Sequence, residues 1–143
     1  MEKLLAEAIY IVSRAFRNKL DRGGKPYILH CLWVMNKVRH LGVEFMIVAV
    51  LHDLIEDTDW NESMLREKGF SSSTIHSVSL LTKFEGESYE DYIVGVCGDH
   101  MAREVKLRDL EHNSKITRLK GISEKDIERI EKYHKSYLYL KNN

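Results

Sequence analysis

The sequence has little proline, little cysteine and no excess charge of either sign. Its 143 residues include one proline and two cysteines, Cys31 and Cys97, whose distant positions fit neither a disulfide framework nor a zinc motif. Acidic and basic residues balance at 22 each, so no overall field attracts polymeric nucleic acid or an anionic membrane. We therefore expect no nucleic-acid partner and no disulfide-stapled fold.

Long apolar segments are also missing. The longest apolar run, residues 45–51, is far too short to span a bilayer. The first residues, Met1 to Lys3, lead into an amphipathic pattern rather than a signal peptide. We expect a cytoplasmic protein without membrane contact, built as one domain over residues 1–143.

Apolar residues recur instead at helical spacing. Leu4, Leu5, Ala8 and Val12 repeat at three- and four-residue steps, and no alternating strand pattern of useful length is present. Longer helices are predicted over 27–40, 43–56 and 99–119, with later helices opening at Ser88 and Ser123. The pattern predicts an all-α, single-domain helical bundle.

Four ionisable residues end the most apolar helix. "AVLHDLIEDT" places His52, Asp53, Glu56 and Asp57 directly after the apolar run. His52 with Glu56 and Asp53 with Asp57 are i, i+4 pairs on adjacent strips of one helix end. A solvated helix end is the ordinary alternative, but acidic residues there oppose the helix dipole. The energetic cost of acidic residues at this helix end is weak evidence that they have a functional role.

Two further residues on other helices offer partners for such a group. His30 lies within "PYILHCLWVM" and Asp109 within "EVKLRDLEHN". Two imidazoles and two carboxylates with open coordination positions suit Mn or Fe better than structural zinc. Taken alone, His30 is more often a core histidine, and Asp109 an ordinary surface ion-pair partner.

Four segments together resemble a known family. "GGKPYILH", "AVLHDLIEDT", "LLTKFEGESYEDYI" and "VKLRDLEHN" occur in the order of an HD-domain metal-dependent phosphohydrolase. They are similar to the hydrolase domain of RelA/SpoT-type (p)ppGpp hydrolases and their small stand-alone relatives. The resemblance implies an HD-type all-helical fold and one divalent ion, usually Mn²⁺, with Fe, Ni, Mg or Zn as alternatives. The implied ligands are His30, His52, Asp53 and Asp109.

The resemblance also implies roles for other residues. Glu56 and Asp57 match the family's catalytic acidic pair. The family's substrate-binding positions are matched by Arg22, Lys25, Lys83 and Asn113. Taken alone, the basic residues at 22–25 are explained equally well by an ordinary surface loop. Asp21 departs from the family's basic loop, which weakens the expectation of guanine-alarmone specificity.

These residues together give a functional hypothesis. We expect removal of the 3′-pyrophosphate of (p)ppGpp by attack of a metal-bound water, and no alarmone synthesis, since no synthetase segment follows. The alternatives are an HD-domain nucleotidase or phosphohydrolase acting on another nucleotide, and a nucleotide-binding regulatory module with little turnover. Tyr133, Tyr137 and Leu140 on the last helix either pack inward or form the seam of a homodimer.

Overall fold

Five of the nine α-helices begin at a residue whose side chain caps the first turn. The computed structural model describes residues 1–143; Ser88 accepts a hydrogen bond from the Asp91 amide, and Ser123 with Asp126 forms a capping box. No β-strand is present, and the one β-bridge pairs Leu20 with Pro26. The helices are α1 Glu2–Ala15, α2 Ile28–Lys37, α3 Val43–Leu51, α4 Leu54–Asp57, α5 Glu62–Glu67, α6 Ser72–Leu80, α7 Tyr89–Cys97, α8 His100–Asn113 and α9 Glu124–Asn142.

Helix α3 is the centre of the core. It contacts α1, α2, α6 and α8, and every residue from Ile47 to Leu51 is buried. Full burial of each large aliphatic side chain contributes about 1.5–3 kcal/mol. A helix surrounded in this way holds whatever follows its last residue at a fixed place inside the bundle.

The predicted helix over 43–56 is wrong at its end. Helix α3 stops at Leu51 and α4 begins at Leu54, because the His52 amide bonds to Ala49 O, three residues back, at 3.4 Å. The His52 ring nitrogen Nδ1 also lies 2.6 Å from that carbonyl oxygen. Side-chain competition for a backbone acceptor interrupts the helix at His52. Asp53 becomes the N-cap of α4 and accepts the i, i+4 hydrogen bond from the Asp57 amide at 3.0 Å.

Two other predicted helices end early. The helix predicted over 27–40 ends at Lys37 and gives way to the 3₁₀ turn Arg39–Leu41, and α8 ends at Asn113, before the 3₁₀ turn Ile116–Arg118. Arg118 donates to His112 O at 2.9 Å. It thereby satisfies a carbonyl that the shortened helix leaves without an intrahelical partner.

The last helix packs inward. Leu140 is buried, and Tyr133 and Tyr137 lie against the core. Helix α9 contacts α7 and α8, which brings its inner face near the end of α3. None of the helices combines the length and apolar character that crossing a membrane requires.

Candidate metal centre

Three segments bring two histidines and two aspartates together. His30 lies on α2, His52 and Asp53 form the turn between α3 and α4, and Asp109 lies on α8. One ligand atom from each lies within 4.8 Å of all the others. His30, His52 and Asp109 are at most 3% exposed, so the cluster is placed by the packed core.

One oxygen of each aspartate faces the histidines. Asp109 Oδ1 lies 3.0 Å from His30 Nε2 and 3.3 Å from His52 Nε2. Asp53 Oδ2 lies 3.1 Å from His52 Nε2 and 3.8 Å from His30 Nε2. All four ligand atoms therefore converge on one small volume.

The opposite nitrogen of each imidazole already has a partner. His52 Nδ1 lies 2.6 Å from Ala49 O, and His30 Nδ1 lies 2.7 Å from His112 Nδ1. Partners of this kind, on the far side of the ring, are what a metal-ligating histidine ordinarily has. Two imidazoles and two carboxylates also match the donors of Mn²⁺ or Fe²⁺. The four residues fit a divalent cation.

The aspartates are held in place by neighbours outside the cluster. Lys106 Nζ donates to Asp109 Oδ2 at 2.8 Å, and Asn113 Nδ2 donates to Asp109 Oδ1 at 2.9 Å. The Tyr27 hydroxyl donates to Asp53 Oδ2. Each carboxylate thus has a fixed orientation toward the imidazoles.

The electrostatics of the cluster favour anionic aspartates. Burial alone would raise the pKa of Asp109, but Lys106 and His52 outweigh it and hold that pKa well below its ordinary range. Burial also opposes ionisation of Asp53, yet His52 lowers the pKa of Asp53 to about 2. For His52, burial is outweighed by Asp53 and Asp109, and the pKa is raised well above 6.5.

The raised pKa of His52 predicts that a metal ion displaces a proton. Because Asp53 and Asp109 outweigh burial and raise the pKa of His52, the metal-free imidazole favours its protonated form, and a cation must replace that proton. We expect release of about one proton per cation, and an apparent Kd that weakens about tenfold for each pH unit below that pKa. Titration calorimetry in buffers of different ionisation enthalpy measures both quantities.

His134 provides the matched control for proton release. It is exposed on α9, so His134→Gln should leave the number of released protons unchanged. A binding heat independent of the buffer in the wild type would contradict the protonated state of His52.

The ion pair between Lys106 and Asp109 predicts a large stability effect. The two side chains are 12% and 5% exposed, and breaking such a pair leaves a buried carboxylate with less compensation. We expect Lys106→Met to destabilise the metal-free protein by about 3 kcal/mol, measured by urea unfolding in the presence of EDTA. Lys125→Met, at an exposed position of α9, should cost far less. Equal effects of the two substitutions would show that the pair adds nothing to stability.

A cavity of about 390 Å³ opens beside the cluster. Its lining includes Asp53 and the carboxylates of Glu56 and Asp57. Four cationic side chains from other parts of the chain also line it: Arg22, Lys83, Lys106 and Lys132. Cations in the wall of such a cavity suit a phosphorylated ligand.

A second cavity of about 290 Å³ adjoins the first. Arg22, Tyr27, Asn113 and Tyr133 line both. The second cavity is also basic, with four further cationic side chains in its wall: Lys19, Lys115, Arg118 and Arg129. Two adjoining cavities with cationic linings suit a ligand that carries more than one anionic group.

The predicted substrate-binding residues do not all reach these cavities. Arg22 and Asn113 line both cavities, and Lys83 lines the one beside the cluster. Lys25 lines neither, although its backbone amide bonds to Asp21 Oδ1 at 2.9 Å. The Asn113 side-chain amide donates to Asp109, so Asn113 also orients that aspartate.

Several lining residues were missed by sequence reasoning. Arg129, Lys132 and Tyr133 come from α9, whose sequence pattern gives no sign that this face meets the end of α3. Tyr27 adjoins the "GGKP" turn and could have been suspected as a partner of a buried aspartate. Lys106 lies on a long helix, where lysines are usually solvated, so its place in the sequence does not indicate a role.

The geometry places the chain among all-α bundles with a histidine and aspartate cluster of the HD type, and comparisons with known proteins agree. No protein-family model matches the sequence. A Mycobacterium leprae protein named as a probable GTP pyrophosphokinase is 32% identical over 126 residues, 76% of this chain and 16% of that protein. The Haemophilus influenzae guanosine-3′,5′-bis(diphosphate) 3′-pyrophosphohydrolase is 29% identical over 116 residues, 72% of this chain and 17% of that protein.

A solved structure shares the fold. It is described as a metazoan ortholog of SpoT that hydrolyses ppGpp; it superimposes with a TM-score of 0.79 at 18% identity, over 96% of this chain and 84% of its own. The all-α fold of the HD type is confirmed by this match. The resemblance to RelA/SpoT-type (p)ppGpp hydrolases is also confirmed. The chain spans about one sixth of the length of the Mycobacterium leprae and Haemophilus influenzae relatives, with 16% and 17% of their lengths aligned.

Proposed function

We propose that this chain is a divalent-metal-dependent hydrolase that removes the 3′-pyrophosphate of ppGpp or pppGpp. The observation that carries the proposal is the largely buried cluster of His30, His52, Asp53 and Asp109 beside a cavity lined by cationic side chains. Relatives from Haemophilus influenzae and Aquifex aeolicus named for this reaction support the choice of substrate.

Mn²⁺ is the proposed ion, with Fe, Ni, Mg or Zn as alternatives on the same donors. When bound, such an ion lowers the pKa of a coordinated water and withdraws charge from phosphoryl oxygens. His30, His52, Asp53 and Asp109 would hold it. Their two carboxylates balance the charge of a divalent cation.

Glu56 has the properties of the group that takes the proton from water. It faces the cavity beside Asp53 and accepts a hydrogen bond from the Lys83 backbone amide at 2.7 Å. Partial burial of the Glu56 carboxyl raises its pKa, against the effect of that amide. A raised pKa makes a carboxylate a better proton acceptor near neutral pH.

Asp57 has a different environment. Its Oδ2 pairs with Lys19 Nζ at 2.9 Å, and the Lys19 ammonium also lies 4.2 Å from the Tyr27 ring centroid. An acid engaged by a cation is suited to orienting water or substrate rather than to exchanging protons. We therefore assign proton transfer to Glu56 and the orientation of water or substrate to Asp57.

The cationic side chains of the cavities bind the phosphates of the substrate. Lys83, Lys106 and Lys132 line the cavity beside the cluster, and Arg22 lines both cavities. They stabilise the negative charge that develops on the leaving pyrophosphate. Water attacks the phosphorus next to the ribose, the bond between that phosphorus and the 3′-oxygen breaks, and the 3′-oxygen takes up a proton. GDP or GTP and pyrophosphate are the products.

One observation favours a second candidate, hydrolysis of a different nucleotide. Asp21, which replaces a basic residue of the resembling enzymes, accepts from the Gly23 and Lys25 amides and from Arg118 Nη2 at 3.1 Å. The loop thus carries an anion that neutralises Arg118. Fewer free cations over the second cavity would favour a ligand with less charge there.

A substrate panel separates these functions. The purified protein with Mn²⁺ would receive ppGpp, pppGpp, GTP, guanosine 3′-monophosphate and 2′-deoxynucleoside 5′-monophosphates, with products resolved by ion-exchange chromatography. Pyrophosphate release from ppGpp and pppGpp alone supports the first proposal. Turnover of a 5′-monophosphate instead would support the nucleotidase. Binding without turnover of any compound would indicate a regulatory module.

A further inference from the structure

His112 contacts the cluster from outside it, through the ring of His30. It lies on α8 one turn after Asp109 and is 9% exposed. Its Nδ1 lies 2.7 Å from His30 Nδ1, and the two rings are nearly parallel, with an angle of 10° between their planes. Trp33 stacks against the His112 ring with 4.2 Å between the ring centroids.

With a metal bound, this contact fixes where the protons lie. Two ring nitrogens 2.7 Å apart form a hydrogen bond only when one carries a proton and the other does not. His30 Nε2 faces the two aspartates, and a metal ligand must offer a lone pair there. A neutral His30 ring that binds the cation through Nε2 would carry its proton on Nδ1 and donate it to His112 Nδ1. His112 would then carry its own proton on Nε2.

Two neighbours hold His112 in place. Arg118 Nη1 donates to the His112 carbonyl oxygen at 2.9 Å. The Trp33 stack holds the plane of the ring, so its Nδ1 lone pair stays directed at His30.

We propose that His112 is a positioning residue for the metal centre, which fixes the tautomer and ring orientation of His30 so that Nε2 faces the cation. The inference rests on the proposed metal site but not on the identity of the nucleotide. A hydrogen-bond acceptor behind the ring also increases the electron density on the ligating nitrogen. The Ala49 carbonyl does the same for His52.

A packing role alone would make a different prediction. An apolar ring of similar size could stack on Trp33 equally well, so His112→Phe should then leave the metal centre unchanged. The positioning role predicts that His112→Phe weakens Mn²⁺ binding by about 10–100-fold. His112→Asn places an amide oxygen near the position of Nδ1 and should recover most of that loss, although it lacks the ring.

Calorimetric titration of Mn²⁺ into the three proteins gives the Kd values, and far-UV circular dichroism verifies that each variant is folded. A second measurement uses ¹⁵N-labelled histidine and the diamagnetic ion Zn²⁺. In the wild type, the His30 Nδ1 proton should appear as a slowly exchanging, hydrogen-bonded resonance. In His112→Phe it should shift upfield or be lost to exchange with water.

The outcomes distinguish this inference from the proposed function. Tight binding by the wild type and by His112→Asn, with weak binding by folded His112→Phe, supports the positioning role. Equal binding by wild type and His112→Phe, or equal weakening in both variants, overturns it, whatever the substrate panel shows. Absence of metal binding in the wild type overturns the metal site itself, and this inference with it.

Discussion

Replacing Asp53 with asparagine should abolish metal binding and lower the rate of phosphohydrolysis by more than about a thousandfold, because the chemistry depends on the cation that lowers the pKa of water. Asp53 supplies one of the two negative charges in the cluster, with Oδ2 3.1 Å from His52 Nε2. Asparagine has the same shape and still accepts from the Tyr27 hydroxyl. The bundle should therefore remain folded.

Calorimetry with Mn²⁺ and a steady-state rate with ppGpp measure the two effects of Asp53→Asn. Asp59→Asn is the matched control, because Asp59 lies close by in sequence but is exposed and outside the cluster. Retained activity in Asp53→Asn, with the control unaffected, would show that this aspartate is not a ligand that the reaction needs.

Substituting Glu56 with glutamine should lower kcat by about 10²–10⁴-fold, the usual contribution of a positioned general base. The amide keeps the size of the side chain and can still accept from the Lys83 amide, which bonds to Glu56 Oε1 at 2.7 Å. It cannot take a proton from water. The Kd for Mn²⁺ should change little, because Glu56 is outside the four-residue cluster.

Two comparisons sharpen the Glu56 result. Asp57→Asn should keep more of the rate than Glu56→Gln, since Asp57 is assigned a positioning role through Lys19. Glu62→Gln, at an exposed site on α5, should have the wild-type rate. The assignment fails if Glu56→Gln retains full kcat, or if its lost activity is explained by lost metal.

Two features of the sequence allowed the residues of the cluster to be predicted: charged side chains among apolar residues, and the four motifs. His52 and Asp53 interrupt an apolar helix, where an unpaired charge is costly, and His30 and Asp109 lie among apolar residues of other helices. The four motifs then gave the resemblance that joins them. The structure brings the four side chains together, while their role as ligands, and the roles of Glu56 and Asp57, remain predictions that the substitutions above test.

The end of α3 and the cavity wall could not be predicted in the same way. Periodicity continues smoothly through Leu51 to Asp57, whereas the helix is interrupted by the bond between the His52 ring and Ala49 O. Lys132 and Tyr133 reach the cavity through the packing of α9 on α7 and α8. Such contacts between distant segments depend on tertiary structure and leave no local pattern.

Hydrolysis of ppGpp in ¹⁸O-labelled water, with Mn²⁺ and product analysis by mass spectrometry, tests the central claim most directly. Attack of water on the phosphorus next to the ribose predicts GDP without label and pyrophosphate carrying one ¹⁸O atom, formed by the wild type and not by Asp53→Asn. Label in GDP would place the attack on the ribose carbon. Release of inorganic phosphate, or no product at all, would contradict the proposal that this metal centre removes a 3′-pyrophosphate.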